Sequence, residues 1–100
     1  MGRAIRQKPK HLAEKLRQIR TALGLSQNEM ISRLGFVGEI TQDYISAYER
    51  AVREPPLPVL LEYARAANIY VDALINDAVD IPAILPSRKK SEGSLRKLKR

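Results

Sequence analysis

Residues 26–50, SQNEMISRLGFVGEITQDYISAYER, constrain the fold more than any other stretch, because two short helical patterns flank a glycine-bearing connection. Ser26 stands three residues before Glu29, the spacing of a capping box in which hydroxyl and carboxylate each take a backbone N–H. Met30, Ile31 and Leu34 give that helix an apolar side, and Gly35 is a natural left-handed stop. Thr41 caps the second pattern, a helix over 42–50. Ile45 and Tyr48 lie three apart and share its buried face, which leaves Gln42, Asp43, Tyr44, Ser46 and Ala47 on the others. An exposed helix start carrying amides, a hydroxyl and an aromatic ring suits the reading of base edges in a major groove.

The flanking sequence extends the helical pattern in both directions. Leu12, Leu16, Ile19 and Leu23 recur at helical spacing, so a first helix is expected from residue 9 or 10 to residue 23, ended by Gly24. His11 falls early in it, facing solvent. Pro55, Pro56 and Pro58 fix an extended lead-in and then the first turn of a helix over 58–67. Leu57, Leu60, Leu61 and Ala64 are in its core register, and Asn68 tolerates the left-handed position that follows. A fifth helix over 71–77 buries Leu74, with Val71 and Ile75 beside it. No strand alternation is convincing, so the expected class is all-α, a compact five-helix domain over 10–77 with basic tails. Residues 1–9 form a basic arm, 78–86 an apolar, proline-bounded strap, and 87–100 a basic, disordered tail. The strap crosses either a second subunit or its own core.

Charge is spread unevenly. Residues 1–23 carry seven Lys and Arg against one Glu, residues 88–100 carry the same balance, and residues 24–87 hold four Arg against nine acids. A mildly acidic body with two basic ends points to a polyanion met by the arms, although basic ends also confer solubility alone. With no cysteine and one histidine, neither a disulfide framework nor a metal site is expected. No membrane-length apolar run, nucleophile–base pair or glycine-rich phosphate loop is visible, so a cytoplasmic protein without catalysis or cofactor is expected.

From about residue 12 to 75 the chain resembles the phage Cro/repressor (Xre) class of helix-turn-helix proteins. IRTALGLSQNEM, ISAYER and REPPLPVLLEYARAANIYVDALI carry the resemblance, in that order. It implies a lambda-repressor-like fold and a sequence-specific transcriptional regulator, in all expectation a repressor, that places helix 42–50 in the major groove of double-stranded DNA. Gln42, Asp43, Tyr44 and Ser46 are then the base contacts. Gln27, Thr41, Arg50 and Arg53, with Arg3, Arg6, Lys8 and Lys10 of the arm, are the backbone contacts. Arg20 is implied to pair with Glu49 as a structural ion pair, and Gln27 to steady the start of the recognition helix. A homodimer on DNA is expected, joined through helix five and residues 78–86. The alternative is an antitoxin-like protein that holds a partner toxin through 78–86 and autoregulates its operon. Two departures bear on docking. GFVGEIT inserts about four residues into the usual turn, and Ile31 stands where the family prefers a small residue, so Phe36, Val37 or Ile40 is expected to fill the gap. Ala51 takes the place of a left-handed glycine, at roughly 1 kcal/mol of strain.

Overall fold

Each helix needs a buried face and a defined end. The computed structural model describes residues 9–86 and supplies both for five helices, with no strand among the described residues. They are α1 (Leu12–Ala22), α2 (Gln27–Leu34), α3 (Gln42–Glu49), α4 (Leu57–Ala67) and α5 (Val71–Ile75). Leu12, Leu16 and Ile19 form the buried stripe of α1 at i, i+4 and i+7. Met30, Ile31 and Leu34 of α2, Ile45 and Tyr48 of α3 and Leu74 of α5 close on it, and Tyr63 of α4 is fully buried in the same cluster. Burial pushes the Tyr63 hydroxyl's pKa up, and the Glu49 charge adds to the shift. That hydroxyl has no hydrogen-bond partner among the described residues.

The ends follow local chemistry. Ser26 Oγ accepts from the Glu29 N–H at 3.0 Å, and the Glu29 carboxylate accepts from the Ser26 N–H at 2.8 Å, so the capping box is complete. Gly35 ends α2 in a left-handed conformation at φ 85°. Asn68 and Ala51 are the two non-glycine residues at positive φ among the described residues, at 60° and 61°. Thr41, in contrast, makes no side-chain cap; its carbonyl accepts from the Tyr44 and Ile45 N–H groups instead. The lengthened turn is closed by its own backbone, with the Phe36 carbonyl accepting from Glu39 and Ile40 at 2.9 and 3.1 Å. Ile40 is buried and Phe36 packs against the core, while Val37 points to solvent.

Several expectations from spacing are corrected. In α4 the core face is Val59, Leu60, Tyr63, Ala64 and Ala67; Leu57 is 77% exposed, and Leu61 follows it onto the outer side one turn later. Ala47 is buried rather than outward, because α3 packs against both α1 and α2 and so has two covered sides. α1 begins at Leu12, two to three residues late, and α5 ends at Ile75, two residues early, with Ile75 largely exposed. The strap lies over its own core: Ile81 is buried, Leu85 packs against the cluster, and Gln18 Nε2 donates to the Ile81 and Pro82 carbonyls at 3.1 and 3.4 Å. Asn68 Nδ2 donates to the Pro86 carbonyl at 3.3 Å.

Each of the two shifted helix ends is met by a side chain from the other helix's neighbourhood. Lys15 is 4% exposed, within the apolar stripe of α1, and its ammonium donates to the Ala73 and Asn76 carbonyls at 2.8 and 2.9 Å. It thus caps the C-terminus of α5, where a cation also meets the negative end of the helix. The Asp77 carboxylate reciprocates at the start of α1, accepting from the Lys10 and His11 N–H groups at 2.9 and 3.1 Å. Lys15→Met keeps the packed stem and removes the donor, so chemical denaturation should show a loss of about 1–3 kcal/mol. An unchanged denaturation midpoint would mean that water serves the two carbonyls as well.

The Lys10 and His11 backbone N–H groups hold the Asp77 carboxyl below its ordinary value of 3.8. A carboxyl depressed on folding contributes stability above its unfolded pKa and loses it as pH falls through the folded value. The melting-temperature gap between wild type and Asp77→Asn should therefore be full at about pH 5 and close on acidification below about pH 4. A gap constant across that range would remove the carboxylate from the cap.

Candidate nucleic-acid interface

Residues from three helices meet in one hydrogen-bonded chain that starts in the core and ends at the exposed start of α3. Arg20 Nε donates to Glu49 Oε2 at 2.6 Å and its Nη2 to Oε1 at 3.0 Å, a bidentate pair. Its third edge, Nη1, donates to the Leu25 carbonyl at 2.9 Å between α1 and α2. The hydrogen bond to Glu49 raises the pKa of Arg20, against the lowering effect of burial. Gln27 Nε2 donates to the same Glu49 Oε1 at 3.2 Å. A carboxylate only accepts, so the Gln27 amide must turn its nitrogen inward and its oxygen outward. That oxygen accepts from Gln42 Nε2 at 3.0 Å. Gln42 is exposed, and it keeps its carbonyl oxygen and a second amide hydrogen for an outside partner.

The other expected site residues are distributed around α3. Asp43 is exposed in its first turn, and Thr41 is exposed just before it. Tyr44 is 37% exposed, with the Arg53 guanidinium over its ring at 4.6 Å and the Tyr48 ring 6.5 Å away at 38°. Ser46 Oγ accepts from Arg50 Nε at 3.0 Å. Tyr44 and Ser46 therefore each already hold an arginine. Lys10 is exposed, with its backbone engaged by Asp77. Arg3, Arg6 and Lys8 and the 87–100 tail lie outside the described residues. The bonds from Gln27 to Glu49 and from Arg50 to Ser46 were not expected from the sequence. The second does follow the i, i+4 spacing of one helix face, which could have signalled it.

The helix-turn-helix family's sequence profile matches residues 16–74, which hold α2, the connection and α3 in the order just described. The chain belongs to the helix-turn-helix family. It is also similar to an uncharacterized HTH-type transcriptional regulator from Sinorhizobium fredii, 38% identical over 64 residues. That match covers 64% of this chain and 31% of the relative, so the chain spans about a third of that protein's length. No helix among the described residues is long and apolar enough to cross a membrane, and no His or acidic cluster there is arranged for a metal ion.

In this helix-turn-helix protein the ion pair sets the pose of the motif. The Glu49 side chain is 5% exposed and Arg20's 15%, so cutting one partner strands a desolvated charge. Arg20→Ala should cost about 3 kcal/mol, as read by urea denaturation. The double variant Arg20→Met/Glu49→Leu should recover much of that loss. Equal losses in the single and double variants would show that the pair contributes packing rather than charge balance.

Proposed function

We propose that the protein is a sequence-specific regulator of transcription, acting as a repressor, that binds double-stranded DNA with α3 in the major groove. The observation that carries this reading is the chain Arg20–Glu49–Gln27–Gln42, which orients an exposed amide at the first residue of α3. The outward oxygen and amide hydrogen of Gln42 match the N6 donor and N7 acceptor of adenine. Asp43 beside it accepts from cytosine N4. Gln27 and Thr41 steady the helix start at the phosphate backbone, with Arg50 and Arg53 at the far end and Lys10, Arg3, Arg6 and Lys8 from the arm. Family membership and the regulator-named relative support the same function.

One eight-residue recognition helix reads only a few base pairs, so a homodimer is the binding unit, with helices about 34 Å apart in successive grooves. The exposed apolar residues Tyr70, Ile75 and Ile84, on α5 and its flanks, support this contact. The same exposed residues support the second reading, in which an antitoxin-like protein holds a partner protein there. Stable co-purification with a neighbouring gene's product would favour that reading.

Selection from random duplexes tests the primary reading, and it should return sites with two related half-sites. On them, Gln42→Ala should lose about 1–3 kcal/mol of discrimination at one or two base pairs per half-site. Its melting curve should stay close to that of wild type, since Gln42 is an exposed side chain. Uniform weakening across all single-base variants would make Gln42 a backbone contact and shift the register of α3 in the groove.

A further inference from the structure

We infer that Tyr44 and Ser46 are positioning residues for a two-arginine phosphate clamp, Arg53 and Arg50, and that base reading is confined to the first turn of α3. This deepens the DNA-binding reading above and rests on it. Two separate contacts carry it. The Arg53 guanidinium lies over the Tyr44 ring at 4.6 Å, and Arg50 Nε donates to Ser46 Oγ at 3.0 Å. Both arginines follow α3, and both are folded back onto side chains of α3 itself.

The two seats leave the charged groups available. An aromatic face holds a flat guanidinium without consuming any of its N–H groups, so Arg53 keeps all five donors for phosphate oxygens. Ser46 takes only the Nε–H of Arg50, which leaves both outer Nη groups. A side chain already held in place loses less rotamer freedom when the phosphate arrives, so more of the attraction appears as affinity.

The backbone and the lengthened turn build the Tyr44 seat. Ala51 at φ 61° reverses the chain after α3, and the Val52 and Arg53 N–H groups both donate to the Ala47 carbonyl, at 2.9 and 3.3 Å. Phe36 and Ile40 of the turn line a hollow of about 340 Å³ together with Tyr44, Tyr48 and Arg53. Tyr44 is therefore drawn toward the turn and the arginine. The ring face that Arg53 covers is closed to a thymine methyl.

Binding titrations of the full chain test this, using the selected duplex, its single-base variants and a random duplex across a salt series. Arg53→Gln should weaken every duplex alike and flatten the log–log salt slope by about 0.9. Tyr44→Leu should weaken every duplex by about two- to five-fold, and Tyr44→Phe, which keeps the ring face, should restore binding. In the Arg53→Gln background Tyr44→Leu should add nothing, and Ser46→Ala should likewise add nothing to Arg50→Gln. A change in base preference with Tyr44→Leu, or an undiminished effect without Arg53, overturns the inference. If Tyr44→Leu does not fold, the Arg53 arm decides alone: an unmoved slope or an altered base preference in Arg53→Gln overturns it. A wild-type chain that binds neither the selected nor the random duplex overturns the DNA reading itself.

Discussion

The candidate interface depends on the bidentate pair between Arg20 and Glu49, because it joins α1 to the last residue of α3 and passes its order outward through two amides. Its value is not mainly cohesive. A buried ion pair often stabilises a fold no more than well-packed apolar groups of the same volume. Apolar replacements would hold α1 and α3 together, but they would leave the Gln27 nitrogen without its acceptor. Gln27 would then have no fixed orientation to hand to Gln42. The pair thus defines direction, converting a packing contact into a set orientation at the surface.

Orientation matters here because α3 has only eight residues. A helix of that length is marginal in water by itself, since its few hydrogen bonds barely offset nucleation. Three buried side chains, Ile45, Ala47 and Tyr48, anchor it on two neighbours. Glu49 ties its last residue and Gln42 its first, while the left-handed Ala51 forces the chain away immediately afterwards. The strain at Ala51, roughly 1 kcal/mol, is small against the burial that surrounds it.

Much of this was legible in the sequence where the cause is local. The Ser26–Glu29 box, the stop at Gly35, the left-handed Asn68 and the stripe of α1 all follow from residue type at a fixed offset, whereas the left-handed Ala51 followed only from the family resemblance. What was not legible has a partner far along the chain. Lys15 in the stripe of α1 is explained only by carbonyls 58 and 61 residues away, at the end of α5. The inversion of Leu57 and Leu61 arises because apolar residues surround the first half of α4, so periodicity alone cannot choose the face. At the site, the Arg20–Glu49 pair was implied by the motif and is formed, while the bond from Gln27 to Glu49 was not foreseen. Nor was the engagement of Tyr44 by Arg53, since it crosses the turn after α3.

The seven residues between α2 and α3 connect these observations. Lengthening a loop by a few residues costs little chain entropy, so such a turn persists without strong compensation. Here it closes on its own carbonyl at Phe36 and sends Ile40 and Phe36 against the core, beside the bulky Ile31. Those same two side chains wall the hollow in which the Tyr44 ring and Arg53 meet. The turn thus meets the middle of α3, whereas Gln42 at its start is held by Gln27, which in turn bonds Glu49. The first turn of this short helix is held by α2 through the Gln27–Gln42 amide bond, and its middle by the residues that follow it, where Arg53 and Arg50 meet Tyr44 and Ser46.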